Sequence, residues 1–339
     1  MTEQAVTVPI FVVGTPRSGT TLTARILNRH SRIFMPGETH FFDDVYSRRR
    51  EFGSIQTANA RAKIVNRLMT LYERYNEPAD QQRIDLLFND VAARNALVRE
   101  QDNYCAILSR FMELQMKHEG RARWGNNAPR DVFNIKDIVQ CFPDAKVIVC
   151  VRDVRDFLVS YKNKWKVTSA QNIERLKALY HPVVTSLLWK SSVRQVSIIK
   201  SLVAAKNLMI LPYEYLVKSP QKAVREICAF VDEVYEADML NVDTHNSSVR
   251  VAGGGIVSSS IGIWRSALSA EEASIAQHLD RKELLLLGYD IETMQADKVR
   301  VLKIFASTPT ATWRAFNANK AMRGSLTVYL YRRIGSFFR

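Results

Sequence analysis

Nine consecutive residues, Gly14-Thr-Pro-Arg-Ser-Gly-Thr-Thr-Leu22, gather groups that bind anions. The two glycines allow a tight turn, and an arginine, a serine and paired threonines inside it add hydrogen-bond donors. An apolar, β-branched run (Val8–Val13) precedes the turn, and residues at helical spacing (Leu22, Ile26, Leu27) follow it. Strand, glycine-rich turn and helix start together aim backbone N–H groups and a positive dipole end at one anion. The glycine spacing fits the nucleoside-triphosphate loop G-x-x-x-x-G-K-[ST], but Thr20 stands where that lysine belongs. The cation is Arg17, inside the loop. Since the lysine reaches the β- and γ-phosphates of a triphosphate, its absence argues against ATP or GTP. A P-loop kinase acting on a small acceptor is the competing reading.

A further constellation is Val151-Arg-Asp-Val-Arg-Asp-Phe-Leu-Val-Ser160, which follows the apolar run Lys146–Val151. Open α/β sheets bind ligands at the carboxyl ends of their strands. There Arg152 and Ser160, eight residues apart, can hold one phosphate between a guanidinium and a hydroxyl. Alone, the segment reads as a strand end with surface charges. Next comes Pro36-Gly-Glu-Thr-His-Phe41, whose Glu38 lies 21 residues after Arg17 and can accept a proton from a hydroxyl. His40 is the rival base. Two later segments, Leu211-Pro-Tyr213-Glu-Tyr-Leu-Val217 and Ser258-Ser-Ser-Ile-Gly262-Ile-Trp264-Arg265, follow the third apolar run and close the series.

Taken together these segments resemble the sulfotransferases that use 3′-phosphoadenosine-5′-phosphosulfate (PAPS). The Gly14–Leu22 loop is similar to the family's 5′-phosphosulfate loop, P-[RK]-S-G-T-T. The Val151–Ser160 segment resembles its 3′-phosphate motif, with the upstream Phe142-Pro-Asp-Ala-Lys146 that commonly precedes it. The resemblance implies cofactor contacts from Arg17, Ser18, Gly19, Thr20, Thr21, Arg152, Ser160, Tyr213 and Arg265. Tyr213 enters through a Y-E-x-L element and Arg265 through a closing G-x-W-[RK]. From the tyrosylprotein and bacterial carbohydrate branches it implies Glu38 as catalytic base, with Arg17 stabilising charge on the leaving phosphate. PAPS is then the donor and PAP the product, with no metal required. One departure stands out: where many members carry W-G-x-K-x-P, this chain has Trp124-Gly-Asn-Asn127-Ala-Pro129, so a cation must come from Arg17, Arg130 or Lys136. The implied acceptor is a hydroxyl on a carbohydrate or glycolipid; tyrosyl, steroid and polyketide hydroxyls are alternatives that the fold does not separate.

The elements that must position these groups follow from periodicity. Three buried strands (Val8–Val13, Lys146–Val151, Leu208–Leu211), each running into a turn and a helical segment, predict an α/β, P-loop-type three-layer fold. Its central sheet is expected to be mainly parallel, with helical insertions and a helical C-terminal tail. Helical spacing recurs over Ile64–Tyr75, Ile107–Leu114, Val183–Val203 and Ser269–Leu287, the last opening on a Ser269/Glu272 capping box and ending at Gly288. The four cysteines show no CxxC and no histidine at ligand spacing, which predicts neither zinc nor a disulfide framework and suggests a reducing compartment. Residues 1–10 lack a signal-peptide pattern, so a cytoplasmic enzyme, peripheral at the inner membrane surface, is expected.

The net charge of +14 is uneven. From Lys298 to Arg339 there are nine Lys/Arg and no Asp/Glu, leaving 39 cations against 34 anions elsewhere. This divides the chain into a sulfotransferase-like domain (1–297) and a basic, aromatic-rich extension (298–339). Trp313, Phe316, Tyr329, Tyr331, Phe337 and Phe338 interleave with the extension's cations, a composition suited to an anionic membrane surface. Packing on the body or in a homodimer is the alternative. Charge confined to the extension speaks against specific nucleic-acid binding by the body.

Overall fold

The three apolar runs become neighbouring strands of a five-stranded, mainly parallel sheet. Its strands are β1 (Ile10–Gly14), β2 (Ile33–Phe34), β3 (Arg123–Asn127), β4 (Lys146–Val151) and β5 (Leu208–Pro212), in the order β2-β3-β1-β4-β5. This is a computed structural model, and it describes residues 8–75, 78–99, 103–167, 172–242, 256 and 258–323. Strand β1 pairs in parallel with β3 (Ile10 opposite Gly125) and with β4 (Ile10 opposite Lys146). Strand β2 pairs in parallel with β3. Ile10, Phe11, Val12 and Val13 are fully buried, as expected for a parallel strand covered on both faces. The architecture is the α/β, P-loop-type fold that the sequence predicts.

Strands β2 and β3 escape that prediction. Strand β2 is only two residues long, too short to show a period. Strand β3 reads Arg-Trp-Gly-Asn-Asn, with none of the β-branched residues that mark a buried strand. It fits because Trp124 packs in the core, and a Cβ at Gly125 would stand 2.3 Å from the Met35 side chain.

The chain forms two compact units. One holds Met1–Cys150, Ile198–Leu211 and Ser219–Val242. It carries the sheet with helices α1 (Thr20–Asn28), α2 (Ala58–Tyr75), α3 (Tyr104–His118) and α4 (Ile135–Cys141). Ile64, Val65 and Leu68 of α2, and Ile107, Leu108 and Phe111 of α3, are buried at helical spacing. One expectation is corrected here: Cys105 on α3 and Cys141 at the end of α4 form a disulfide, with Cα atoms 5.4 Å apart. Helix packing, not spacing along the chain, brings these thiols together. The argument from free thiols to a reducing compartment is thereby lost. Cys150 and Cys228 are free and buried.

The other unit holds Val151–Ser197, Pro212–Lys218 and Asp243–Arg339. Its helices include α5 (Val154–Lys162), α6 (Ala270–Leu279), α7 (Arg281–Leu286), α8 (Lys298–Ala306) and α9 (Thr308–Arg323). Its core joins Val154, Phe157 and Leu158 to Trp189, Val193, Ala276 and Leu284. The predicted capping box forms, with the Glu272 N–H donating to Ser269 Oγ and the Ser269 N–H to Glu272 Oε2. The expected single helix is two, broken at Asp280 between α6 and α7. Gly288 ends it at φ 80°. Among the described residues no helix is long and apolar enough to cross a membrane. Tyr329, Tyr331, Phe337 and Phe338 lie outside the described residues.

Candidate functional site

In the unit that carries the sheet, the anion loop is built by backbone that only its sequence permits. Gly14 ends β1 at φ 147°, where a Cβ would meet the Cys150 carbonyl oxygen of β4 at 2.3 Å. Arg17 and Gly19 both take left-handed backbone, at φ 74° and 93°. For a non-glycine residue such as Arg17 this costs on the order of 1–3 kcal/mol, a strain that clusters at functional sites. The Ser18 N–H closes the turn on the Thr15 carbonyl at 3.1 Å. Ser18 is fully buried, and its hydroxyl has no hydrogen-bond partner. Gly19 gives α1 no side-chain cap, and no acidic residue occupies its first turn, which opens with Thr20 and Thr21. A buried, unmatched hydroxyl costs about 1–3 kcal/mol, and an anion accepting from it would remove that cost.

The Glu38 segment is held by a network that the sequence does not disclose. Thr39 Oγ1 donates to Asn126 Oδ1 at 2.9 Å, and Asn126 Nδ2 donates to Asp131 Oδ2 at 3.2 Å. Asn134 Nδ2 donates to Asp131 Oδ1, also at 3.2 Å. Thr39, Asn126 and Asp131 are fully buried, so the segment is pinned to the carboxyl end of β3. Burial, reinforced by nearby Asp43, pushes the Asp131 carboxyl well above its ordinary range.

On this support His40 stands between two carboxylates. Its Nε2 is 3.1 Å from Glu38 Oε2 and its Nδ1 is 3.3 Å from Asp43 Oδ1. Burial alone would lower the imidazole pKa, but the contacts with Asp43 and Glu38 outweigh it and raise it to about 10. His40 is therefore a cation at neutral pH, with both nitrogens protonated and no lone pair to accept a proton. A cationic imidazole speaks against His40 as the base. Glu38, 31% exposed, sets Oε2 on His40. Asn127, where the resemblance implies lysine, is buried opposite Val12 of β1, and its Oδ1 has no partner. Arg130 lies 4.0 Å from Asp43.

In the other unit Arg152 and Ser160 line one cavity of about 230 Å³. Arg152 is 6% exposed; its Nη2 donates to the Ser260 carbonyl at 2.8 Å, and its guanidinium lies 4.3 Å from the centre of the Tyr213 ring. The Tyr213 hydroxyl is 2.7 Å from Ser260 Oγ. Glu214 accepts from the Asp153 N–H at 3.0 Å and from the Tyr289 hydroxyl at 2.8 Å, which ties the strand end to the Y-E-x-L element. Asn163 and Lys166 also line the cavity. Sequence reasoning misses both, although a cation six residues after Ser160 is in plain view. Asp156 lines it too, but its carboxylate is spent on the N–H groups of Gly262 (2.6 Å) and Trp264 (3.1 Å).

The last two residues of the closing segment fall elsewhere. Trp264 is core, packed with Val159 and Ala273 under the Arg155 guanidinium. Arg265 pairs with Glu292 on the surface and is not among the residues lining the cavity. Among the described residues no cluster of His, Cys, Asp or Glu is arranged to hold a metal ion.

The sequence and the fold are both similar to known sulfotransferases. A family model described as the sulfotransferase family matches residues 9–237. An uncharacterized Aquifex aeolicus protein is 26% identical over 270 residues, 76% of this chain and 30% of that protein. Protein-tyrosine sulfotransferase A of Caenorhabditis elegans is 23% identical over 246 residues, 68% of this chain and 52% of that protein. The chain thus spans only about a third to a half of the length of these two relatives. Among solved structures, the sulfotransferase domain of the curacin biosynthetic pathway has a TM-score of 0.53 at 19% identity, covering 85% of this chain and 99% of that one. The sulfotransferase domain of the Synechococcus PCC 7002 olefin synthase gives 0.52 at 19%, covering 85% and 98%.

Proposed function

The chain belongs to the sulfotransferase family, and from that premise we propose that it transfers the sulfuryl group of PAPS to a hydroxyl of a carbohydrate or glycolipid. The observation that carries this reading is the cavity shared by Arg152, Ser160 and Lys166, two cations and a hydroxyl suited to a phosphate. The orphaned Ser18 hydroxyl and the uncapped start of α1 support another anion site in the Gly14–Leu22 loop. Each anion site, taken by itself, suits one group of PAPS: Arg17, Ser18, Gly19, Thr20 and Thr21 the phosphosulfate, and Arg152 and Ser160 the 3′-phosphate.

When bound, PAPS supplies the sulfuryl group, whose bond to the 5′-phosphate breaks as the acceptor oxygen bonds to sulfur. The oxygen of Glu38 that does not face His40 takes the acceptor's proton. His40, cationic at neutral pH and anchored by Asp43, orients that carboxylate through its other oxygen. Arg17 and the loop N–H groups stabilise the charge that grows on the leaving phosphate.

PAP should raise the melting temperature, as any ligand selective for the folded state does, and Mg-ATP should do so far less. Stabilisation by Mg-ATP and none by PAP would replace this reading with the kinase one. The acceptor is tested by transfer of labelled sulfate from PAPS into a lipid-plus-glycan extract, with a tyrosyl peptide in parallel. A tyrosyl acceptor is the alternative reading, favoured by the likeness to the C. elegans protein-tyrosine sulfotransferase.

A further inference from the structure

Helix α8 turns an apolar stripe outward. Val299 is 60%, Leu302 69% and Phe305 36% exposed, and their spacing of three sets them along one side of the helix. Ile304, on the opposite side, is half-buried, as is Val301 between the two faces. Lys298 stands at the N-terminal end of the stripe and Lys303 lies one turn after Val299 on its flank, whereas Arg300 falls on the side of Ile304. All three are exposed, and the nearest acid to Arg300 is Asp297 at 3.7 Å, itself half-exposed at the N-cap. On α9, Trp313 is 59% exposed. From Lys298 to Arg323 there are six Lys/Arg and no Asp/Glu.

We propose that this face of the unit docks in the headgroup layer of a bilayer rich in anionic lipid. The stripe would enter the boundary between headgroups and acyl chains, while Lys298 and Lys303 extend their stems along it and keep their charges at the phosphates. Charge complementarity selects this occupant. Another copy meeting the same face symmetrically would bring two sets of Lys298 and Lys303 together with no acid on the stripe to offset them. Nucleic acid would pair with the cations but leave Val299, Leu302 and Phe305 in water. The inference does not depend on the donor chemistry.

The test uses the full chain and sedimentation with vesicles of phosphatidylcholine alone or mixed equally with phosphatidylglycerol. Binding is expected to the mixed vesicles only, and to fall as salt rises. The variant carrying Leu302→Ser and Phe305→Ser should lose at least about tenfold in vesicle affinity, since the lost apolar burial drives insertion. Lys298→Gln and Lys303→Gln should each lose about fivefold at low salt. All these substitutions are at exposed positions, and an unchanged melting temperature without ligand would show that each variant folds. Equal binding to pure phosphatidylcholine, no binding by the parent, or undiminished binding by the serine variant would overturn the proposal. A change of oligomeric state in the serine variant with vesicle binding retained would also overturn it, making the face a contact between copies.

Discussion

Replacing Arg152 by alanine tests the donor site at its most rigid point. Its guanidinium is already fixed by the Ser260 carbonyl and the Tyr213 ring, so little side-chain freedom remains to be lost when a phosphate arrives. A buried charged partner of this kind is worth about 2–5 kcal/mol to a bound anion. At about 1.4 kcal/mol per tenfold, Arg152→Ala should weaken PAP binding by roughly 30-fold to 4,000-fold, measured by titration calorimetry. Two controls give the number meaning. Lys166 lines the same cavity but is exposed, so Lys166→Ala should cost about fivefold or less. Arg265→Ala, which removes only a surface pair with Glu292, should change PAP affinity by about twofold at most. The melting temperature without ligand separates lost binding from lost folding. If Arg152→Ala binds PAP within fivefold of the parent, or Arg265→Ala weakens it as much, the assignment of this cavity fails.

The same geometry sets other outcomes. Ser18→Ala removes an unmatched buried hydroxyl, so unliganded stability should hold or rise while PAPS affinity falls by about 1.5–3 kcal/mol; a loss of stability without loss of affinity would make the residue structural. Glu38→Gln should cut turnover by roughly 10²-fold or more and leave the melting shift with PAP intact, and full activity would sink the base assignment. His40 has a raised pKa, so its stabilisation is complete below its ordinary value of 6.5 and is lost as pH rises through about 10. Urea unfolding across that range should show the parent losing stability relative to His40→Gln, and parallel curves would refute the ion-pair account.

What is legible in the sequence is structure caused locally. The runs at β1 and β4, the Ser269 capping box and the donor-rich loop each follow from a few adjacent residues. Structure caused at a distance stays hidden. The polar strand β3 reads as a loop until Thr39 and Asp131 are known to satisfy Asn126 from either side. Cys105 and Cys141, 36 residues apart, pair only because α3 and α4 bring them together. The motif alone points Arg265 at a ligand, but a long side chain goes where its charge is best matched, and Glu292 lies 27 residues further along the chain.

The segment Arg152-Asp-Val-Arg-Asp156 shows why a charge pattern underdetermines a site. Its four charged residues alternate in sign and read as a solvated turn, yet all four are buried and each does something different. Asp153 caps α5 through the Arg155 N–H at 2.8 Å and holds the Arg155 guanidinium in a two-pronged ion pair. Arg155 in turn reaches Gln277 at 2.8 Å and covers the Trp264 ring. Asp156 spends its carboxylate on two backbone N–H groups of the Gly262–Trp264 segment, and burial pushes its pKa up. Three of the four charges are thus consumed in fixing the scaffold. Arg152 differs in where it faces: braced by the Ser260 carbonyl and the Tyr213 ring, it lines the cavity beside Ser160, whereas Arg155 is turned away from it. An anion there gains charge-assisted hydrogen bonds from a group whose position is already set. That is the physical reason to propose Arg152, and not Arg155, as the phosphate's partner.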